Sequence, residues 1–327
     1  MSEIVTAVAT SHSPLLTLPG ELWMAYSTRD RHNRDLHDET GASVTFDELS
    51  ARHGDHYEAL INEKHFVERA AACQDALDRL AAHLEAARPD VVVIVGDDQT
   101  ELFDSTIQPV ITIFHGDRVE MATGEHLPDN EIANAMRDGY AMRPSTTFAS
   151  NSSLARHLIG GLLERDVDVA ASDGAPVGRG FGHAYGFVAR RLLERVDAAI
   201  VPVLLNTHYP PNQPTPRRCY RIGQALGAAI NDTPDDVRVA LVASGGLSHF
   251  VVDPALDELV LDAIASDDGA TLSAIAPARL QAGSSEIRNW ISVAGAMVGR
   301  AVAWRTYVPC IRSVAGTGMG MGFLAWS

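Results

Sequence analysis

Five consecutive β-branched residues, Val91-Val92-Val93-Ile94-Val95, constrain this chain more than any other feature. They follow directly on a stretch between about 64 and 87 in which Phe66, Val67, Ala70, Leu77, Leu80 and Leu84 recur at helical spacing, and Arg88-Pro89 ends that pattern. A run with no polar alternation reads as a strand buried on both faces, so it needs a layer on either side. The alternation recurs, with strands expected at 4–9, near 110–114, at 167–171, 199–205 and 237–244. Helices are expected near 130–140 and at 153–165, 184–196 and 216–231. The order predicts a three-layer α/β/α sandwich around a mostly central, mixed sheet.

No fixed-period repeat or low-complexity tract divides the chain. The expectation is therefore one domain over residues 1–327. A polar, charge-dense insertion at about 29–58 and a helical C-terminal third would be additions to its rim.

Composition excludes several functions. The 327 residues carry 42 Asp and Glu against 26 Lys and Arg, a net charge of −16, which leaves no basic face to track a nucleic-acid backbone. No apolar run approaches the ~20 residues of a membrane span, and the first ten residues lack a leader pattern, so a cytoplasmic protein is expected. Cys73, Cys219 and Cys310 form no CxxC pair, which fits a reducing compartment and argues against a thiolate metal site.

Thirteen histidines then draw attention, because several follow strands, where α/β sheets bind ligands. His12 ends the first strand, Asp97-Asp98-Gln99 follow the second, His208 follows 199–205, and His249 follows 237–244 through Gly245-Gly246-Leu247-Ser248. Taken singly, each is as well explained by a solvated loop. The glycines of 178–182 end on His183 at a helix start, where backbone can approach a small ligand. Those of 316–322 read as tight turns and close backbone packing. Neither matches a phosphate-cradling motif.

These segments, in this order, resemble the class III extradiol ring-cleavage dioxygenases, the family that includes the catalytic subunit of protocatechuate 4,5-dioxygenase. Ser11-His12-Ser13-Pro14 resembles the family's opening motif, Gly182-His183 its Asp-His-Gly segment, and Gly245 to His249 its Gly-Gly-Leu-Ser-His. Tyr209-Pro210-Pro211 with Arg217-Arg218-Cys219-Tyr220 is similar to a family stretch of the same layout. Ser285-Glu286-Ile287-Arg288-Asn289-Trp290 resembles the segment that carries a glutamate ligand.

The resemblance implies an Fe(II) site with His12 and Glu286 among its ligands, His249 as base, His183 as acid, and a small aromatic ortho-diol and O₂ as reactants. A homo-oligomer is implied as well. The alternative is a metal- or small-molecule-binding homologue on the same scaffold that does not activate O₂.

One position departs from the family. Where its second histidine ligand falls, this chain has Gln99, whose neutral amide is a weaker donor to Fe(II) and suits harder cations. Three outcomes follow: Gln99 completes a His12/Gln99/Glu286 site, His53, His56 or His208 substitutes, or catalytic iron is lost. The first two together rank above the third, because the remaining site residues are kept.

Other residues have ordinary readings. His32 and His37 face solvent, Asp97 and Asp98 cap the segment after them, Glu101 is surface charge, and Arg217 and Arg218 are structural. Tyr185, Phe187 and Tyr209 line a ring-shaped pocket or pack in the core. The net negative charge gives a carboxylated substrate little long-range attraction, so local cations such as Arg179, Arg217 or Arg218 would have to hold it. The insertion would be a lid, a substrate wall or a subunit contact.

Overall fold

The computed structural model describes residues 2–327. In chain order the elements are β1 (Glu3–Thr10), α1 (Trp23–Ser27), α2 (Phe46–His53), α3 (Glu63–Ala87), β2 (Val91–Gly96), β3 (Ile111–Phe114), β4 (Arg118–Glu120), α4 (Glu131–Gly139), β5 (Thr147–Ala149) and α5 (Ser152–Leu163). There follow β6 (Ala170–Ser172), α6 (His183–Arg191), β7 (Ala199–Leu205), α7 (Pro216–Asn231), β8 (Arg238–Ser244), α8 (Pro254–Ala265), α9 (Gly269–Ala274), α10 (Ile287–Ala296), β9 (Val302–Ile311) and β10 (Gly318–Trp326). No helix among the described residues is long and apolar enough to cross a membrane.

Eight strands form one mixed sheet in the order β6-β3-β7-β2-β8-β1-β10-β9, and β4 with β5 makes a separate ribbon. The period-2 geometry of the strands explains why both faces are covered. In β2, Val91, Val93 and Val95 enter one apolar cluster while Val92 and Ile94 enter the other. The first cluster is completed by Leu158 of α5, Ile222 and Leu226 of α7, Val260 of α8 and Trp290 of α10. The second takes Phe66, Leu77, Leu80 and Leu84 of α3 and Val188 of α6. This is the α/β/α sandwich expected from the sequence.

β7, β2, β8 and β1 are mutually parallel neighbours, so their carboxyl ends share one edge. The residues after those ends, His12, Asp97, Asn206 and Gly245, therefore arrive together.

Two segments differ from expectation. The strand expected at 167–171 lies at Ala170–Ser172, because the chain is still turning at Asp166, whose φ is 57°, with the Val167 N–H bonded to the carbonyl of Leu162 at 3.0 Å. The last part of the chain is not helical throughout. β9 and β10 form a hairpin, and β10 pairs antiparallel with β1 inside the main sheet. The glycines of 316–322 pack closely as expected, but mostly within a buried strand. A methyl on Gly320 would lie 1.9 Å from a carboxylate oxygen of Asp257.

Residues 29–58 fold over the edge that carries the strand ends. Leu36, Val44 and Leu49 form a small cluster with Ala315, against which Phe250 packs. Asp30 reaches under this segment to Arg312, with both carboxylate oxygens 2.8 Å from guanidinium nitrogens and a further bond from the Thr317 hydroxyl.

Candidate active site

The parallel strand ends bring His12, Gln99 and His249, and the starts of α6 and α10 bring His183 and Glu286, to the wall of one cavity of about 260 Å³, whose apolar lining includes Met136, Tyr140, Met142, Phe250 and Met319. That volume suits a single-ring ligand near the lower end of small-molecule pockets.

Each histidine has its Nδ1 tied to an outer partner. His12 Nδ1 is 2.9 Å from Ser244 Oγ, and that hydroxyl donates its own proton to the Ala184 carbonyl at 2.6 Å. Ser244 therefore accepts from His12, which in its neutral form holds its proton on Nδ1 and leaves Nε2 as a bare lone pair. Nε2 is buried and 3.2 Å from Glu286 Oε2, yet it makes no hydrogen bond. A buried imidazole with an unused lone pair beside a carboxylate is the chemistry of a metal donor set, so these residues fit a divalent cation.

His249 Nδ1 donates to the Leu247 carbonyl at 2.8 Å, and its Nε2 lies 3.4 Å from Glu286 Oε1. The ring is held in a slot between two glycines, because a methyl on Gly283 would lie 2.0 Å from His249 Cδ2 and one on Gly246 2.6 Å from Cε1. His183 Nδ1 donates to Glu101 Oε1 at 2.6 Å, leaving Nε2 as its free ring nitrogen.

The segment after Ser285 owes its composition to helical spacing. Glu286, Asn289 and Trp290 share a face one turn apart. The Trp290 indole donates to the Gly245 carbonyl at 2.7 Å, and Asn289 Nδ2 reaches the Ser244 carbonyl at 2.9 Å and Asp97 Oδ1 at 3.2 Å. Arg288, also buried, bonds the carbonyls of Pro214 and Leu280, each at 2.8 Å. Glu286 itself accepts from the Gly246 N–H at 2.5 Å and from Gln99 Nε2 at 3.0 Å. Burial pushes the Glu286 carboxyl up, but His12 and His249 outweigh it and hold the group well below the usual carboxylate range.

Several residues stand elsewhere than the sequence suggested. Glu101 is not surface charge but a half-buried partner of His183. Asp98 caps as expected, accepting the Leu102 and Phe103 N–H groups at 2.8 and 3.0 Å, whereas Asp97 faces the cluster. Tyr185 and Phe187 pack in the core, and the aromatic walls are Tyr26, Tyr140 and Phe250. Arg179 pairs with Asp104, and neither Arg217 nor Arg218 lines the cavity; its guanidinium is that of Arg312. His208 lies 3.7 Å from Asp35 and meets Tyr209 edge-on, while His53 and His56 pack on Tyr57, so none of the three alternatives reaches the cluster. His37 is only partly exposed and lines a second cavity on the far side of His249.

Sequence reasoning also passed over Asp257. It accepts the Ser248 N–H and hydroxyl and the Tyr307 hydroxyl, all at 2.7 Å, and so fixes the loop that carries His249. Its only signal was an acidic residue on the face of α8 that otherwise carries Leu256, Val260, Leu261 and Ile264.

The Glu101–His183 pair makes a prediction for the metal-free protein. Burial alone would push His183 down and Glu101 up, but their mutual charge and hydrogen bond win, raising His183 to about 10 and lowering Glu101 to about 2. The stabilisation from His183 is complete below its ordinary value of 6.5 and is lost as pH rises toward about 10. That from Glu101 is complete above 4.5 and is lost as pH falls toward about 2. The pair should therefore contribute most between those ordinary values. Glu101→Gln should bring the His183 titration down, read by NMR of the imidazole. An unchanged titration would show that Glu101 does not set it.

The chain matches the family described as the catalytic LigB subunit of aromatic ring-opening dioxygenase over residues 62–321, and it belongs to that family. His12 and the 29–58 segment lie outside the matched stretch, and the geometry alone brings His12 to the site. Among curated proteins, a gallate dioxygenase of Pseudomonas putida (strain KT2440) is 32% identical over 141 residues, a match that spans 40% of each chain.

Proposed function

We propose that this protein is a non-haem Fe(II)-dependent, extradiol-type dioxygenase that opens a catecholic ring with O₂, carried by one α/β domain whose 29–58 segment packs behind Phe250 of the cavity wall. The observation that supports it best is the convergence of His12, His183, His249 and Glu286 on one cavity, with the His12 Nε2 lone pair buried and unused. His12 and Glu286 would hold the iron, which supplies a place for diol and O₂ to meet and exchange electrons.

The chain's own residues do the rest. His249 takes a hydroxyl proton on Nε2, because its Nδ1 proton is committed to Leu247. His183, backed by Glu101, delivers a proton to the opening ring. Tyr140, whose hydroxyl donates to the His12 carbonyl at 2.8 Å, holds that backbone in place while its ring walls the cavity. Met136, Met142 and Met319 keep the ring's surroundings dry.

The test is anaerobic loading with Fe(II), followed by O₂ uptake with a panel of aromatic diols, with and without a carboxylate. Consumption with the appearance of a coloured ring-opened product is expected, and His249→Ala should lower it by roughly 10²–10⁴-fold, the range for loss of a general base. No uptake with any diol would overturn the oxygenase reading. The amide at position 99 favours a second reading, in which the site holds a cation without activating O₂; cation binding without uptake would establish it.

A further inference from the structure

We propose that Asp97 supplies the third protein donor to the cation held by His12 and Glu286, and that Gln99 positions both carboxylates by giving one amide proton to each. This rests on the metal-dependent reading above and names the donor set that reading left open.

Asp97 is buried at the carboxyl end of β2, and its carboxylate belongs to a group with His12, His183 and Glu286 whose donor atoms all lie within 4.8 Å of one another. Two amides orient it: Asn289 Nδ2 at 3.2 Å from Oδ1 and Gln99 Nε2 at 3.1 Å from Oδ2. Each carboxylate oxygen has two lone pairs, so a single amide contact leaves each with one to offer.

Gln99 Nε2 also lies 3.0 Å from Glu286 Oε1. Both neighbours are acceptors, so the amide turns its protons toward them and its oxygen away. In that orientation it offers the cluster hydrogen-bond donors rather than a lone pair. One NH₂ group bridging two buried carboxylates does what a single-tautomer imidazole cannot, since that ring has only one N–H. The bridge holds two like charges together in a buried place, where they would otherwise repel. The buried, unused lone pair of His12 Nε2 faces the same group and is an independent sign that an ion belongs there.

Two carboxylates and one imidazole make a harder donor set than two imidazoles and one carboxylate. Carboxylate suits Mn(II) and Mg(II), while imidazole suits iron and the later metals. The site should therefore discriminate less between Mn(II) and Fe(II) than one with a second histidine donor.

The experiment is anaerobic calorimetric titration of the full chain with Mn(II) and with Fe(II), with folding checked by near-UV circular dichroism. Loss of an outer hydrogen-bonding partner costs roughly 10–100-fold in metal affinity. Gln99→Ala should fall in that range, and the isosteric Asp97→Asn should lose more than about 100-fold. Asp97→Asn combined with Gln99→His should recover binding and favour Fe(II) over Mn(II) more than the wild type does.

Infrared difference spectra of the unmodified protein keep the assignment testable if a variant does not fold. Cation binding should shift two carboxylate bands. The assignment is overturned if only one band shifts, if Asp97→Asn binds within tenfold of wild type, if Gln99→Ala or His183→Gln costs more than Asp97→Asn, or if the wild type binds neither cation. None of these readouts uses oxygen. A protein that binds through Asp97 yet consumes no O₂ refutes the oxygenase reading alone, and an Asp97→Asn protein that binds normally refutes this assignment alone.

Discussion

Replacing Glu286 by glutamine should leave a folded protein that no longer retains the proposed iron. The carboxylate is the hub of the site, with His12 Nε2 at 3.2 Å, His249 Nε2 at 3.4 Å, Gln99 Nε2 at 3.0 Å and the Gly246 N–H at 2.5 Å. An amide keeps an oxygen for the Gly246 N–H but removes the charge that a cation needs. With that oxygen kept for Gly246, its NH₂ faces the Gln99 amide, which is itself a donor. Fe(II) affinity should fall by more than about 100-fold, beyond the cost of losing a mere outer partner, and O₂ uptake should fall to background. Anaerobic iron titration and an oxygen electrode measure the two effects. Uptake within tenfold of wild type would show that the carboxylate is not a donor.

Arg312→Leu should destabilise the fold by about 3–5 kcal/mol, the usual cost of leaving one partner of a buried ion pair unpaired. Asp30 and Arg312 are 4% and 6% exposed, so water cannot replace the lost guanidinium. The two-pronged contact ties the 29–58 segment to the turn before β10, and Tyr26, 5.2 Å from the Arg312 guanidinium, walls the cavity beside it. The same change should therefore raise KM for the diol as well as lower stability. The double variant Asp30→Leu with Arg312→Leu should be more stable than Arg312→Leu alone, because no buried charge is then stranded. Denaturant unfolding of the three proteins decides it, and a single-variant loss under about 1 kcal/mol would show that the pair is not structural.

The layers were legible in the sequence because they rest on local chemistry. The uninterrupted run 91–95 announces a strand covered on both faces, and the period of 64–87 announces the helix that covers one of them. The β10 hairpin was less legible. Gly-Met-Gly-Met-Gly has the period of a strand, but its glycines serve partners far along the chain, such as Asp257 and Leu247, and nothing local reveals them.

The site divides in the same way. His12, His183, His249 and Glu286 carry their own motifs and could be named in advance. Glu101 and Asp97 read as ordinary loop carboxylates until folding closes 82 residues between Glu101 and His183 and 192 between Asp97 and Asn289. Arg312 was invisible for the same reason, since its partner Asp30 is 282 residues away.

By itself, then, the sequence determined the α/β/α layering, the edge at which strand ends deliver their polar residues, and the histidines and glutamate that meet there. Only the tertiary structure decided which way each ring nitrogen faces, that Gln99 gives its protons to two carboxylates, and that Arg312 is the cation in the wall. The physical reason is one of range: periodicity and turn chemistry act over a few residues, whereas the protonation and orientation of a buried group depend on partners brought in from anywhere in the chain.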